Sequence, residues 1–461
     1  MLTKIRNRLY DHTQINKETL LFNNKALKLL LIPIIIEQVL NSFMGMADTM
    51  MVSNVGSSAI SAVSLVDSIN TLVIQVFAAM AVGATIICSQ YLGRGDEKKC
   101  NEAARQVFLS ICAISVVLTI LFIAFRIPLL ELIFGRVEKE VMDNALIYFF
   151  ITVLSYPFLA LFNVGAAFYR AGGNSKFPMK VSLFANGMNI IGNTLLIFVF
   201  NMGVTGAALS TLFSRVLSTF IIFYFLHKPK QPIVLNEYFK IRPDFKLIGM
   251  ILAIGVPTGI ENGMFQLGKL AIQSTVSELG TIAIAAQAMT NILEMINGIV
   301  AIGIGMGLMT VVGQCMGAGR KEEAKYYIVK LTILAEIGLI LSCLFVFVMT
   351  KPVTLLAGME PASAKMCFEM IIAITLVKPL VWVLSFIPVY GMRAAGDVKF
   401  SMTVSTLTMW LCRVALAIYL CRVWGFGPMA VWIGMFADWT IRAFIFSGRF
   451  LSGKWCEKSV A

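Results

Sequence analysis

The sequence has little charge and almost no histidine. Asp, Glu, Lys and Arg together make up 14% of its 461 residues, against roughly a quarter in soluble domains. The only histidines are His12 and His227, which excludes a metal site built on several imidazoles. None of the nine cysteines forms a CxxC pair, and several lie in apolar stretches. We expect them to be small buried side chains rather than disulfides or metal ligands.

The motifs of common catalytic sites are also missing. The sequence contains no GxSxG, no Walker loop, no HExxH and no Cys/His cluster. The run Gly303-Ile304-Gly305-Met306-Gly307 resembles a nucleotide loop but lies in an apolar span, so we interpret it as helix flexibility or close packing. We therefore expect no enzyme activity, no cofactor and no bound metal. Because no loop is long enough for a nucleotide-binding domain, energy for any transport would come from an ion gradient or a separate subunit.

What the sequence has in abundance is apolar residues. They make up 58% of the chain and recur in long stretches, each long enough to cross ~30 Å of hydrocarbon as a helix. We predict an all-α integral membrane protein with twelve spanning helices, and no cleavable signal peptide. The net charge of +13 does not indicate nucleic-acid binding, because Lys and Arg fall at the ends of the apolar segments. There they would set orientation and contact anionic membrane lipids.

The two halves of the chain repeat one another. Residues 33–100 reappear at residues 257–324 with a constant offset, so that Glu37 corresponds to Glu261 and the run 90–95 to the run 314–319. Later, residues 169–177 match residues 391–400. A period of about half the chain predicts two homologous lobes, and in a membrane protein such lobes commonly form a transporter with a site at the repeat interface.

The domain organisation follows from this repeat and from the loop charges. We predict a tail at 1–26, a first lobe of six helices at 27–227, a linker at 228–246, a second lobe of six helices at 247–449 and a tail at 450–461. Positive residues in the first tail (Lys4, Arg6 and Arg8) and in the loops after helices 2, 4, 8 and 10 predict cytoplasmic termini. The loops on the other side, at 53–58, 201–203 and 276–281, contain no Lys or Arg, and the loops at 127–144 and 351–366 mix signs.

Ionisable side chains within a membrane are costly, about 2.5–3.5 kcal/mol on insertion scales, and each needs a reason. In the first lobe, Glu37 and Asp48 lie eleven residues apart and so share a helix face, with Asn41 between them. A polar face on helix 5 is formed by Asn186, Asn189 and Asn193. These residues are candidates for a functional site. The alternatives are that Asp48 caps or pairs near the outer interface and that the asparagines bond neighbouring helices.

The second lobe has polar stripes on helices 7 and 8, which suggest a wetted cavity. Their members are Asn262, Gln266, Lys269 and Gln273 on helix 7 and Gln287, Asn291 and Glu294 on helix 8. We add Glu261 to the residues expected to line a substrate cavity. The alternative for Lys269 and Glu294 is a structural ion pair. Further ionisable candidates are Asp67, Arg215, Glu336, Lys378 and Arg413. Asp438 and Arg442, four residues apart, are expected to pair.

Several short motifs resemble those of one family over nearly the whole chain. They are Ala47-Asp48-Thr49 followed by Val52 and Gly56, the runs 90–95 and 314–319, the runs 170–174 and 393–397, and the run 203–208. The sequence resembles the MATE (multidrug and toxic compound extrusion) family, in a prokaryotic branch similar to NorM and DinF.

The resemblance implies two pseudo-symmetric six-helix bundles and a secondary antiporter that exports cationic amphipathic compounds in exchange for H⁺ or Na⁺. Asp48, with Asn189 and Asn193, matches the family's coupling site in the first lobe, where Na⁺ would be held, and we add Glu37 to this set. The position of the family's helix-7 glutamate is occupied by Met264 and Phe265, so we place coupling in the first lobe.

Two other interpretations remain open. Related proteins flip lipid-linked oligosaccharides, and Lys269, Arg215 and Lys378 are compatible with such an anionic substrate, whereas the acidic face of helix 1 disfavours it. A non-transporting membrane protein is the third. For the leading interpretation we expect a monomer in the bacterial cell membrane.

Overall fold

The computed structural model describes residues 9–16, 18–135, 137–229, 231–236 and 242–457. Lys4, Arg6 and Arg8, used above to predict orientation, lie outside these residues, as do parts of the predicted tails. The described residues form helices and connecting turns, without strands. An all-helical fold is the expected solution for a chain that must satisfy its backbone hydrogen bonds in lipid.

The described residues of the first half form eight α-helices. They are α1 (Asn24–Ser53), α2 (Ser57–Gly93), α3 (Glu97–Ala124), α4 (Arg126–Phe134), α5 (Lys139–Leu154), α6 (Tyr156–Ala171), α7 (Lys176–Asn193) and α8 (Gly203–Leu226). A π-helical turn, Thr194–Val199, continues directly from α7.

In the second half, the part of the chain that the structure describes forms seven α-helices. They are α9 (Phe245–Ser277), α10 (Thr281–Gly317), α11 (Lys321–Leu356), α12 (Pro361–Ala394), α13 (Val398–Thr408), α14 (Leu416–Arg422) and α15 (Met429–Leu451). A π-helical turn, Met409–Ala415, joins α13 to α14, and two 3₁₀ turns, His12–Gln14 and Lys454–Glu457, lie near the ends of the described chain.

The helices account for the predicted membrane spans. In the described part of the chain, eleven helical segments are long and apolar enough to cross a membrane, and α5 with α6 forms a twelfth span bent by 42°. The bend lies at Ser155, just before Pro157. Because proline has no N–H, the carbonyl of Val153 lacks its helical donor; the Thr119 hydroxyl donates to it at 3.4 Å instead. The prediction of twelve spans is thus confirmed, and the fourth span is broken between α5 and α6 rather than continuous.

One predicted loop contains a helix. The nine-residue helix α4 occupies the start of the interval 127–144. Its Pro128 lies in the first turn, where the missing N–H costs nothing because the first N–H groups of a helix have no intrahelical acceptor. Periodicity did not reveal α4 because it is too short and too uniformly apolar.

The chain forms two compact units. One comprises Lys28–Gly259, and the other comprises Met1–Leu27 together with Ile260–Ala461. Both boundaries lie inside helices, α1 and α9, rather than in the connector 228–246. The predicted lobe limits follow the sequence repeat and stay a prediction. The limits of the two packing units lie at other positions.

The offset arises from how the segment before each repeat is held. The segment before α1 packs on the start of α11: the Tyr327 hydroxyl accepts from Phe22 N at 3.0 Å and donates to Phe22 O at 2.7 Å. Arg320 Nη1 donates to Thr19 O at 2.8 Å. The segment before α9 is held correspondingly by α3, where Gln106 donates to Arg242 O at 2.8 Å and accepts from Asp244 N at 3.0 Å. We call these stretches the leading segments, meaning the described residues within 9–24 and 231–244.

Glycines mark the repeat at two turns, and another glycine allows a close packing contact in the second half. Gly95 and Gly319, at equivalent positions, have φ of +75° and +72°, which glycine adopts without steric cost. In the glycine run of α10, a Cβ at Gly305 would lie 2.5 Å from the Tyr390 ring. This contact agrees with the interpretation of that run as close helix packing. All nine cysteines are free, and seven of them are buried.

Candidate functional site

A cavity of about 530 Å³ lies within the unit Lys28–Gly259. Side chains from α1, α2, α5, α6, α7 and α8 line it, and its ionisable members are Asp48, Asp67, Arg215 and Tyr148. All three asparagines of the predicted face on α7 line it too, together with Asn41. As the spacing in the sequence predicted, the three asparagines of α7 therefore face one shared cavity.

A hydrogen-bonded chain runs from Asp48 across α7 to α8. Asn193 Nδ2 donates to Asp48 Oδ1 at 2.7 Å and to Asn189 Oδ1 at 3.2 Å. Asn189 Nδ2 donates in turn to Thr211 Oγ1 at 3.3 Å. The backbone carbonyl of Asn189 accepts from Ser210 Oγ at 2.8 Å, which fixes α7 against α8. The sequence had grouped the first three residues but not Thr211, which is a single hydroxyl in an apolar helix.

Two features of this hydrogen-bonded chain of side chains are suited to binding a cation. Asn193 Oδ1 is buried and accepts no hydrogen bond from the described residues, which is costly for a buried polar atom unless it has a use. Asn193 is also the last residue before the π-helical turn of Thr194–Val199, and π-helical turns are frequent at functional sites because they change the direction in which side chains point. Carboxylate, amide and hydroxyl oxygens are hard ligands suited to a hard cation.

A second polar group lies on the other side of the same cavity. Asp67 Oδ1 accepts from Asn70 Nδ2 at 3.1 Å and, weakly, from the Tyr148 hydroxyl at 3.5 Å. The Tyr156 hydroxyl donates to Asn70 Oδ1 at 2.7 Å. Tyr148 and Tyr156 lie on either side of the break between α5 and α6. Sequence reasoning listed Asp67 as ionisable but had no signal for the tyrosines that contact this group.

Arg215, on α8, is the cation of this cavity. Its Nη1 donates to Ser155 Oγ, at the break between α5 and α6, over 2.7 Å. Within the described residues no carboxylate oxygen lies within 4.0 Å of it, in contrast to most intramembrane cations of this chain. Arg215 therefore holds the bend between α5 and α6 in place, while the rest of its guanidinium has no ion-pair partner among the described residues.

Glu37 is not part of this cavity. It is buried, and Arg170 Nη1 lies 3.2 Å from its Oε2. The corresponding glutamate of the second repeat, Glu261, pairs in the same way with Arg393, over 2.6 Å. The structure thus separates Glu37 from Asp48, with which the sequence had grouped it, and gives the two repeated glutamates one shared role as partners of a repeated arginine.

The polar residues of the second repeat form a packed network. Trp432 Nε1 donates to Gln287 Oε1, and Gln287 Nε2 donates to Asn291 Oδ1, both at 3.2 Å. Glu294 pairs with the fully buried Lys378 over 2.6 Å, not with Lys269. The ammonium of Lys269 lies over the Phe265 ring, 5.1 Å from its centroid. Asn262 and Gln266 lie on the same helix, half-buried. The expected pair of Asp438 and Arg442 is present at 2.7 Å.

The polar chain of the first repeat is not repeated in the second. Ile272 occupies the position corresponding to Asp48, and it belongs to an apolar cluster with Val276, Met409 and Val414. Among the described residues, no group of three or more His, Cys, Asp and Glu side chains suits a metal ion. The one cavity with unpaired carboxylates described here therefore lies in the first repeat.

Comparison with known proteins gives relatives over the whole chain. A Thermotoga maritima protein named a probable multidrug resistance protein NorM is 28% identical over 449 residues, covering 95% of this chain and 94% of its own length. The uncharacterized transporter YisQ of Bacillus subtilis is 27% identical over 438 residues, covering 93% and 94%. These relatives are named as transporters and not as enzymes.

Solved structures share the fold. An outward-facing multidrug resistance MATE family transporter of the MOP superfamily superposes with a TM-score of 0.87 at 18% identity, covering 93% of this chain and 96% of its own. A MOP superfamily transporter from Pyrococcus furiosus gives a TM-score of 0.86 at 20% identity, covering 94% and 97%. The predicted fold of two pseudo-symmetric six-helix bundles is thereby confirmed.

The MatE family model matches twice, at residues 33–195 and 257–419, once in each of the repeats found in the sequence. With both repeats matched, and with relatives aligned from end to end, this chain is a multi-span integral membrane protein that belongs to the MatE family.

Proposed function

We propose that this protein is a secondary antiporter that exports cationic amphipathic compounds in exchange for H⁺ or Na⁺. Multidrug resistance and multidrug export are the roles in the names of relatives from Thermotoga maritima and Staphylococcus aureus. The observation that carries the proposal is Asp48, a carboxylate at membrane depth in a polar cavity, whose single hydrogen-bond donor among the described residues is Asn193.

The charge of Asp48 calls for a cation. Within the described residues no Lys or Arg nitrogen lies within 4.0 Å of it, whereas Glu37, Glu261, Glu294 and Asp438 all have such a partner. A lone ionised carboxylate in the membrane is expensive. A proton, a sodium ion or the cationic group of a substrate would each remove that cost, and only one of them at a time.

Sodium would find suitable ligands around Asp48. The carboxylate, the amide oxygens of Asn189 and Asn193, and Thr211 Oγ1 are all oxygen donors joined in one chain. Turning the Asn193 amide by half a rotation would present its unpaired oxygen toward Asp48. A proton would need only the carboxylate, so both coupling ions are compatible with this arrangement.

We place the coupling step in the first repeat. In the second, the position of Asp48 is taken by the buried Ile272, and Glu261 and Glu294 are already paired. The predicted substrate-contacting residues of the second repeat remain a proposal: Glu261, Asn262, Gln266, Lys269, Gln287, Asn291 and Glu294. Of these, Lys269 is an exposed cation. Asn41 lines the cavity of the first repeat and is proposed to contact substrate there.

In this mechanism, loading of the coupling ion on Asp48 would change the hydrogen bond from Asn193 and hence the packing of α1 against α7. Pro33 leaves one carbonyl of α1 without its helical donor, which makes that helix easier to bend. Substrate and ion would then alternate in the cavity as the transporter alternates its access between the two sides of the membrane.

The other parts of the proposal concern placement. We propose the bacterial cell membrane, cytoplasmic termini and a monomeric transporter surrounded by lipid. Large apolar side chains remain exposed along many of the described helices, such as Phe220, Leu341 and Phe444. These side chains are suited to contact with hydrocarbon rather than water.

Export of a lipid-linked oligosaccharide is disfavoured by the charge of the cavity. A pyrophosphate group would need several cations around it. The cavity of the first repeat instead contains two aspartates and one arginine.

The test is dye efflux in inside-out vesicles, with a proton gradient and a sodium gradient imposed separately. One gradient should drive uptake of a cationic dye in vesicles containing the wild type. Absence of a response to either gradient, with active protein present, would contradict antiport.

A further inference from the structure

The first-repeat cavity contains three charged groups that are not paired with one another. Asp48, Asp67 and Arg215 all line it, and within the described residues none has an ion-pair partner within 4.0 Å. Four other carboxylates of the membrane helices, Glu37 among them, do have one. This cavity therefore brings together three membrane charges that have no ion-pair partner among the described residues.

Asp67 is held so that one oxygen remains available. Its Oδ1 accepts the hydrogen bonds from Asn70 and Tyr148, while its Oδ2 accepts none from the described residues. The Tyr156 hydroxyl fixes the orientation of Asn70 from the other side. Asp67 thus lies beside Tyr148 in a cavity whose volume, about 530 Å³, is within the usual range for drug-sized ligands.

Arg215 is fixed in place and is the only positive charge among the residues lining this cavity. Its hydrogen bond to Ser155, at the break between α5 and α6, holds the guanidinium within the cavity. When both aspartates are ionised, two negative charges face one positive charge. The cavity is then short of a single positive charge, which one monovalent cation supplies.

We propose that Asp67 binds the cationic group of the substrate and that Arg215 is the specificity-determining residue, which restricts this cavity to monovalent organic cations. This inference rests on the proposed function and names its substrate class. Without Arg215, the two carboxylates would together attract a divalent cation. Without Asp67, Arg215 would cancel Asp48 and leave no net attraction for any cation.

The experiment measures equilibrium binding of two dyes to the purified transporter at alkaline pH, by fluorescence anisotropy. Ethidium carries one positive charge, and propidium has the same aromatic core with a second, quaternary ammonium. We expect the wild type to prefer ethidium, because the single net negative charge of the cavity would leave the second charge of propidium desolvated without a counter-charge. Arg215→Gln should raise propidium affinity relative to ethidium by about tenfold or more, since the interaction scales with the charge of each partner. Asp67→Asn should weaken both dyes.

The double variant Asp67→Asn/Arg215→Gln makes the test independent of single-site damage. It restores the net charge of the cavity, so part of the loss of ethidium binding seen in Asp67→Asn should be recovered. Matched controls are Arg126→Gln and Asp143→Asn, which remove the same charges from α4 and α5 outside the cavity and should leave the dye ratio unchanged.

Two outcomes would overturn the inference: an unchanged dye ratio in Arg215→Gln, or no recovery of ethidium binding in the double variant. Its failure is separable from that of the proposed function. If ion-driven efflux persists while the dye ratios do not shift, antiport stands and the charge rule is wrong. If the ratios shift but no gradient drives efflux, the charge rule stands and antiport is wrong.

Discussion

Asn193 Nδ2 donates a hydrogen bond to Asp48 Oδ1 over 2.7 Å, and Asn193 is the last residue before a π-helical turn. The carboxylate and its donor lie on different helices, α1 and α7, so a change in the charge of Asp48 acts directly on the contact between them. Where the second repeat has Ile272 in an apolar cluster, the first has this bond.

Asp48→Asn should abolish ion-driven efflux. The amide has nearly the same shape, but it carries no charge to attract a cation and no site to exchange a proton. The measurement is dye efflux from vesicles under the gradient that drives the wild type. Glu336→Gln is the control, because that residue is an intramembrane carboxylate of α11 outside the cavity; it should retain efflux. Full-rate efflux by Asp48→Asn would show that coupling lies elsewhere.

Glu37→Gln should affect stability rather than coupling. It leaves Arg170 buried without its carboxylate, and breaking a buried ion pair typically costs about 3–5 kcal/mol. We expect a lower midpoint of thermal unfolding in detergent, with an unchanged dependence of efflux on the ion gradient per folded molecule. A changed ion dependence at normal stability would restore Glu37 to the coupling site.

Lys378→Met should be more damaging than the double variant Lys378→Met/Glu294→Gln. Lys378 is fully buried against Glu294 at 2.6 Å, so the single change leaves a carboxylate without its cation, whereas the double change removes both charges. We expect the double variant to recover at least about 1 kcal/mol in a denaturation series. Equal losses in both variants would mean that Glu294 has another partner.

Tyr327→Phe should loosen the first leading segment. The hydroxyl makes both hydrogen bonds to Phe22, and loss of a buried bond typically costs about 1–3 kcal/mol. Hydrogen–deuterium exchange at residues 18–24 should become faster. Tyr326→Phe is the matched control, since its hydroxyl makes no hydrogen bond within the described residues, and it should leave exchange unchanged. Equal exchange in both variants would contradict the docking.

Much of the fold could be predicted from the sequence, because membrane spans and repeats leave strong local signals. The faces of single helices were also predictable: the asparagines of α7 line one cavity, as their spacing indicated. Spacing along a helix fixes which residues share a face. It does not say which other helix that face meets.

The missing information concerned partners far apart in the chain. Glu294 meets Lys378, 84 residues later, although Lys269 was the nearer choice in the sequence. Glu37 has the helix position of a site residue, yet its partner Arg170 is 133 residues away and makes it structural. The break at Ser155 was missed because Pro157 alone does not show whether a helix bends or ends.

The docking of the leading segments bears on how such a chain originates. If a protein of one repeat packed in the same way, its leading segment would have to be held by the third spanning helix of another molecule. Two copies could satisfy this need by exchanging their leading segments, as in a domain-swapped dimer. Fusion of the two genes would then preserve the exchange in a single chain, and the unit boundaries inside α1 and α9 would be its trace.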